Sequence, residues 1–336
     1  MYNQFFGLRA SPFQMTPDPA YLFMTIQHRE ALAGLTYAVL ERKGLVVLTG
    51  DAGTGKTTLL RWVLEHLPPA RIQSSVVFNP VLTSAEFLEM ALRDFGIPEA
   101  PANKAKSLLK LQELLHTGDQ AGKVSVLVVD EAHKLSPELL EEIRLLGNFE
   151  RSDRKLLQIV LAGQNELTDV LNRHDLRQFK QRIALRVALE PLSAPEIGQY
   201  IQFRWSKAGG GNPAPFSAEA LVSVARFSQG IPRLINSLCD NALMLALAAG
   251  STNVTAEHLT EASADLCLTN GVPAEGPRPV PALQAPAPAL QVLRREASNA
   301  PNGARIPTLE RYAPSKPSTL SRWAGKLGLA RRAKTA

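Results

Sequence analysis

The stretch that most restricts how this chain can fold begins with six residues, Gly44-Leu45-Val46-Val47-Leu48-Thr49. They run directly into Gly50-Asp51-Ala52-Gly53-Thr54-Gly55-Lys56-Thr57. The first six are apolar and rich in β-branched residues, as a parallel strand buried on both faces requires. After the glycines, Thr58 to Leu67 places Leu59, Leu60, Val63, Leu64 and Leu67 at helical spacing before Pro68-Pro69 stops the helix. The glycines between strand and helix let the backbone curl until successive N–H groups point inward, toward the positive end of the helix that follows. A loop of this kind, from Gly50 through Thr58, holds phosphate: Lys56 reaches the outer phosphates of a nucleoside triphosphate and the Thr57 hydroxyl sits on Mg²⁺.

A second apolar run, Val124-Ser125-Val126-Leu127-Val128-Val129, ends abruptly in Asp130-Glu131. Carboxylates in that position are costly without a task. In a phosphate-loop enzyme Asp130 belongs to the Mg²⁺ shell and Glu131 polarises the attacking water. The alternative is that the acids cap the next helix, but Ser136 before Pro137 already supplies a cap.

Strand patterns at 74–78, 156–162 and 183–189, the last two bracketing the sheet, bring the number of strands to five. They alternate with helical patterns at 84–95, 104–116, 137–148 and 166–173. This alternation predicts an α/β fold with a five-stranded parallel sheet flanked by helices, its ligand beyond the carboxyl ends of the strands. Gln164 follows one such end and is placed to bond the outer phosphate or the attacking water. From Ala194 the pattern is wholly helical, with segments at 194–207, 217–227, 232–249 and 255–267. Gly230-Ile231-Pro232-Arg233 opens the third of these and puts a guanidinium in its first turn. That opposes the helix dipole, a local cost that fits an anionic partner such as phosphate, or else a surface salt bridge. The expected division is 1–192 for the nucleotide-binding α/β domain, 193–268 for a small helical lid, and 269–336 for a disordered tail rich in Pro and Ala.

Charge separates along the same boundaries. The chain has 37 Lys/Arg against 31 Asp/Glu, yet residues 271–336 hold 11 of the basic and 3 of the acidic ones. The basicity therefore belongs to the tail, and the body through residue 270 carries a slight acidic excess. Near the end, Leu320, Trp323 and Leu327 share one helical face with Arg322 and Lys326 around them, a pattern for a membrane-surface or partner-docking helix, or for a solvated basic tail. No apolar run is long enough to cross a bilayer. The first residues lack the pattern of a secretory signal, and two cysteines, Cys239 and Cys267, make no disulfide framework. A cytoplasmic location is expected.

Together these features resemble an AAA+ ATPase. More narrowly, Phe5-Phe6-Gly7-Leu8, Pro12-Phe13, Thr16-Pro17-Asp18-Pro19, His28-Arg29-Glu30-Ala31-Leu32, Asp130-Glu131-Ala132-His133 and Leu161-Ala162-Gly163-Gln164 are similar to the ExeA/GspA-type secretion ATPases. So is the stretch from Gln181-Arg182-Ile183 to Leu189-Glu190-Pro191-Leu192. Related proteins occur with pilus-biogenesis and exosortase-linked polysaccharide export systems. The resemblance implies that His28 and its neighbours contact the adenine of ATP, that Gln164 and Arg233 are the two sensors, and that subunits assemble as a ring or filament. It also implies an arginine finger reaching the next subunit's site, with Arg177 preferred over Arg182 and Arg173 less well placed. Asn165 stands where the family often has proline. The expected role is an ATP-hydrolysing factor for a secretion, pilus or export apparatus, peripheral at the inner membrane if the tail docks there. The alternatives are a nucleic-acid-associated ATP switch, disfavoured by the acidic body, and a nucleotide-sensing scaffold, disfavoured by Glu131.

Overall fold

The computed structural model describes residues 2–16, 18–78, 80–98 and 103–268. The expectations for the tail, including the helix around Trp323, lie outside the described residues. Five strands, β1 (Leu45–Gly50), β2 (Ile72–Val77), β3 (Val124–Val129), β4 (Leu157–Ala162) and β5 (Ile183–Leu189), form one parallel sheet in the order β2-β3-β4-β1-β5. β4 is therefore central, between β3 and β1, and does not bracket the sheet with β5; the edges are β2 and β5. The three inner strands are buried along their whole length, as their unbroken apolar sequences require. At the edge, β5 alternates between half-buried and exposed positions, with Ala184, Arg186 and Ala188 turned half or wholly to solvent.

Twelve α-helices are found among the described residues, besides three short 3-10 turns: α1 (Tyr2–Phe5), α2 (Ile26–Leu40), α3 (Lys56–His66), α4 (Ser84–Asp94), α5 (Lys104–Gln120), α6 (Pro137–Leu146), α7 (Glu166–Asn172), α8 (Arg177–Lys180), α9 (Ala194–Lys207), α10 (Ala218–Ser228), α11 (Pro232–Ala248) and α12 (Ala256–Asp265). Their starts follow local chemistry. Thr83 and Glu86 form a reciprocal capping box at α4, and Ser193 with Glu196 does the same at α9. Ser136 Oγ accepts the Leu139 N–H at α6, where Pro137 occupies the first turn. The helix cap anticipated from sequence is thus supplied by Ser136 and not by Asp130 or Glu131.

Two apolar clusters organise the packing. One surrounds the sheet and joins Phe87, Leu88, Leu115, Leu139, Ile143 and Phe179 to the strands. The other lies among α9 to α12, and the chain's first residues join it: Tyr2, Leu8 and Phe13 pack with Tyr200 and Trp205. Edge-to-face contacts fix this segment, Phe6 on Trp205 at 5.8 Å and Phe13 on Phe216 at 6.0 Å between ring centroids. Where the chain leaves the sheet, Leu192 N–H donates to Gly230 O at 2.8 Å. Gly230 is required there, since its φ is +76° and a Cβ would lie 2.1 Å from Leu192 O.

Candidate nucleotide-binding site

Because all five strands are parallel, their carboxyl ends share one pole, and the P-loop begins there at Gly50. Gly50, Gly53 and Gly55 all have positive φ, and a Cβ on Gly50 would lie 2.4 Å from Leu189 O. Lys56 folds back over this curl, its Nζ donating to Gly50 O at 2.7 Å and Asp51 O at 2.8 Å. Burial pushes its pKa down, opposed by the negative charges of Asp130, Glu131 and Asp51. Thr54 Oγ1 closes the turn by donating to Asp51 O at 2.9 Å.

Asp130 emerges from β3 only 4% exposed, and its Oδ2 accepts the Thr57 hydroxyl at 2.6 Å. A hydroxyl and a carboxylate so placed at the start of α3 are a hard-oxygen donor set suited to Mg²⁺ beside a phosphate. Glu131 has φ of +56°, a strained setting for a non-glycine residue. Its carboxylate lies 3.3 Å from Lys134 Nζ and 3.6 Å from His133 Nε2. His133 also meets Gln164, accepting its backbone N–H at Nδ1 with the two Nε2 atoms 3.3 Å apart. Asn165 Nδ2 donates to Asp51 Oδ1 at 2.6 Å, which ties the loop after β4 to the P-loop.

A cleft of about 250 Å³ opens over these groups, lined by Ala52 to Thr58, Glu131, Gln164, His28 and Arg233. Arg233 N–H donates to Gly53 O at 3.3 Å, and its side chain packs against Gly53. His28 is buried, with Nδ1 2.7 Å from Thr25 Oγ1 and its ring beside the backbone of Thr54. Burial lowers its pKa, so the imidazole is held neutral beneath the loop. Arg177 and Arg182 lie away from this cleft. Arg182 donates to Arg144 O and Asn148 Oδ1 at 3.1 and 2.5 Å, and Arg173 pairs with Asp175. Arg177, exposed at the start of α8, makes no side-chain hydrogen bond or ion pair among the described residues.

Sequence reasoning missed part of the wall. Tyr21, Tyr200, Arg204 and Asn236 also line the cleft. Arg204 is 6% exposed and bonds Pro12 O, Gln14 O and Tyr200 Oη while stacking over the Tyr21 ring. Tyr200 Oη donates to Asn236 Oδ1 at 2.8 Å, so the network joins the N-terminal segment to α9 and α11. The available signal was an arginine on the apolar face of α9, in phase with Ile197, Tyr200 and Ile201.

The fold and this loop define a P-loop nucleotide-binding protein of the AAA class, and residues 39–171 match the family model of the AAA domain. The chain is similar to General secretion pathway protein A of Aeromonas hydrophila, 44% identical over 255 residues that make up 76% of this chain and 46% of that one. It thus spans less than half the length of that relative. It is also 25% identical over 257 residues, 75% of each chain, to ATP-dependent target DNA activator B of Escherichia phage Mu. Among solved structures, Cdc6p of Pyrobaculum aerophilum superposes with a TM-score of 0.58 at 21% identity, over 76% of this chain and 70% of that one, a likeness of fold.

Proposed function

We propose that the chain binds ATP in this cleft and hydrolyses it as an oligomeric assembly or energising factor for a secretion, pilus or polysaccharide-export apparatus. The observation that carries the hydrolytic part is the Thr57–Asp130 pair at 2.6 Å with Glu131 on the wall of the same cleft. Backbone amides of the loop and the Lys56 ammonium bind the phosphates. Thr57 and Asp130 would hold Mg²⁺, which would supply charge neutralisation to the phosphates. Glu131 leaves Lys134 to accept a proton from the attacking water, and Gln164 orients that water or the γ-phosphate. Arg233 brings positive charge from α11 to the phosphates, and Arg177 serves a neighbouring subunit's site.

The system served is read from the secretion-pathway relative. A second reading, a DNA-associated ATP switch, draws on the likeness to the phage DNA activator. The same variants test the site in both cases. Lys56→Ala should lose ATP binding, and retained wild-type affinity would remove the loop assignment. Glu131→Gln should bind ATP and turn it over at least about 100-fold more slowly, the loss expected of a general base. Duplex DNA that stimulated turnover of the wild-type chain would transfer the preference to the second reading.

A further inference from the structure

In a parallel sheet every strand begins at the same pole, here the one opposite the nucleotide cleft. Each of the five strands is preceded by a basic residue: Arg71 before β2, Lys123 before β3, Arg154-Lys155 before β4, Arg42-Lys43 before β1 and Arg182 before β5. With neighbouring strands about 4.8 Å apart, these positions form a row about 19 Å long across the sheet. Several members of the row lie close together. Arg42 donates to Lys123 O at 2.9 Å, and Lys43, Arg144, Lys155 and Arg182 line a single small cavity.

Lys155 pairs with Glu150, Arg154 with Asp153 and Arg144 with Glu141, and the remaining cations of the row outnumber the acid they share. The buried carboxylate of Asp119 is shared among three guanidiniums, those of Arg42 at 2.9 Å, Arg151 at 2.8 Å and Arg154 at 3.2 Å. Two carboxylate oxygens cannot satisfy three forks, and Arg151 and Arg154 remain 37% and 40% exposed. Lys43, Arg71 and Lys123 have no carboxylate partner among the described residues. The positive excess stands out because the body through residue 270 is slightly acidic, so the rest of its surface is more acidic still. Two exposed apolar side chains flank the row. Tyr37, 48% exposed, lies beneath Lys43 Nζ at 5.3 Å, and Leu145, 44% exposed, follows Arg144.

We infer that this pole is a docking surface for an anionic phospholipid bilayer. A broad face of cations fits a plane of phosphate headgroups, and an aromatic ring and a leucine beside it suit the boundary where headgroup meets acyl chain. The row lies at the far end of the sheet from the cleft, so docking leaves the nucleotide site accessible and does not depend on the proposed hydrolysis.

The test is sedimentation of the full chain with phosphatidylcholine vesicles, with and without phosphatidylglycerol. Each basic residue near an anionic surface contributes about 1 kcal/mol, or about fivefold. Lys43→Ala, Arg71→Ala and Lys123→Ala together should therefore weaken binding to the anionic vesicles about 100-fold, with ATP binding unchanged. Arg71→Ala alone, at an exposed loop position, should cost about fivefold and guards against misfolding of the triple variant. The matching tail variant, Arg331→Ala, Arg332→Ala and Lys334→Ala, should lose less than the triple variant of the sheet pole. Equal vesicle binding by wild type and both pole variants overturns the inference. So does a pole variant that loses affinity for duplex DNA while keeping its affinity for vesicles.

Discussion

Replacing Gly53 with alanine would place a methyl carbon 2.7 Å from Arg233 Cβ and 3.1 Å from Ile231 Cγ2, at a φ of +87°. The left-handed backbone costs an L-residue roughly 1–2 kcal/mol, and forcing a methyl into a packed contact adds roughly 1–3 kcal/mol. Gly122→Ala is the internal control, because its φ is +71° with nothing within 4 Å of the added carbon. It incurs the backbone cost alone. The difference between the two variants, roughly 1–3 kcal/mol, therefore reports the packing of Arg233 on the P-loop. In a folded body of this size each kcal/mol moves the midpoint by roughly 2–4 °C, so Gly53→Ala should melt roughly 2–12 °C below Gly122→Ala. The assay is thermal unfolding followed by circular dichroism, with and without ADP and Mg²⁺. Nucleotide at about 100 times its Kd should stabilise the control by about 2.7 kcal/mol, and Gly53→Ala by less. Coincident melting of the two variants, with equal nucleotide shifts, would refute the contact between α11 and the loop.

Mixing subunits tests the oligomeric site. Lys56→Ala and Arg177→Ala chains, each inactive alone, should recover part of the ATPase rate together if Arg177 serves its neighbour; no recovery at any ratio argues against it. Acid should also weaken the protein through His28. Its pKa is lowered in the folded state by burial, so the unfolded chain takes up the proton first. Stability from this group is complete above the ordinary histidine value of 6.5 and is lost as pH falls through the lower folded value. A His28→Asn variant should lack that component in melts recorded across this range, and an acid profile identical to wild type would count against a buried neutral imidazole.

The P-loop and the Asp130-Glu131 pair were legible in the sequence because their chemistry is local. A few consecutive residues set the strand, the curl and the helix, and the strand runs that carry them are apolar throughout. Strand order was less accessible: Leu157–Ala162 reads like any buried run, and only hydrogen bonding to both β3 and β1 makes it central. The N-terminal segment was harder still. Phe6 and Phe13 reach partners about 200 residues later in sequence, and no periodicity records a contact across that separation. Arg204 was hidden for the opposite reason, since a charged residue is usually assigned to solvent, while this one is held by carbonyls and aromatic rings. Asn165 is clearer in the fold, where its amide bonds Asp51. The basic row was visible residue by residue, but its alignment depends on the sheet being parallel.

The bond from Leu192 N–H to Gly230 O anchors the chain three residues before Arg233. From there α11 runs 17 residues to Ala248, about 25 Å at 1.5 Å per residue. Arg233 lies close to that anchor and the far end of α11 about six times farther from it. A rigid tilt of α11 about the anchor that shifted Arg233 by about 1 Å would therefore swing Ala248 through about 6 Å. A small displacement beside the phosphate loop would be enlarged at the outer end of the helix.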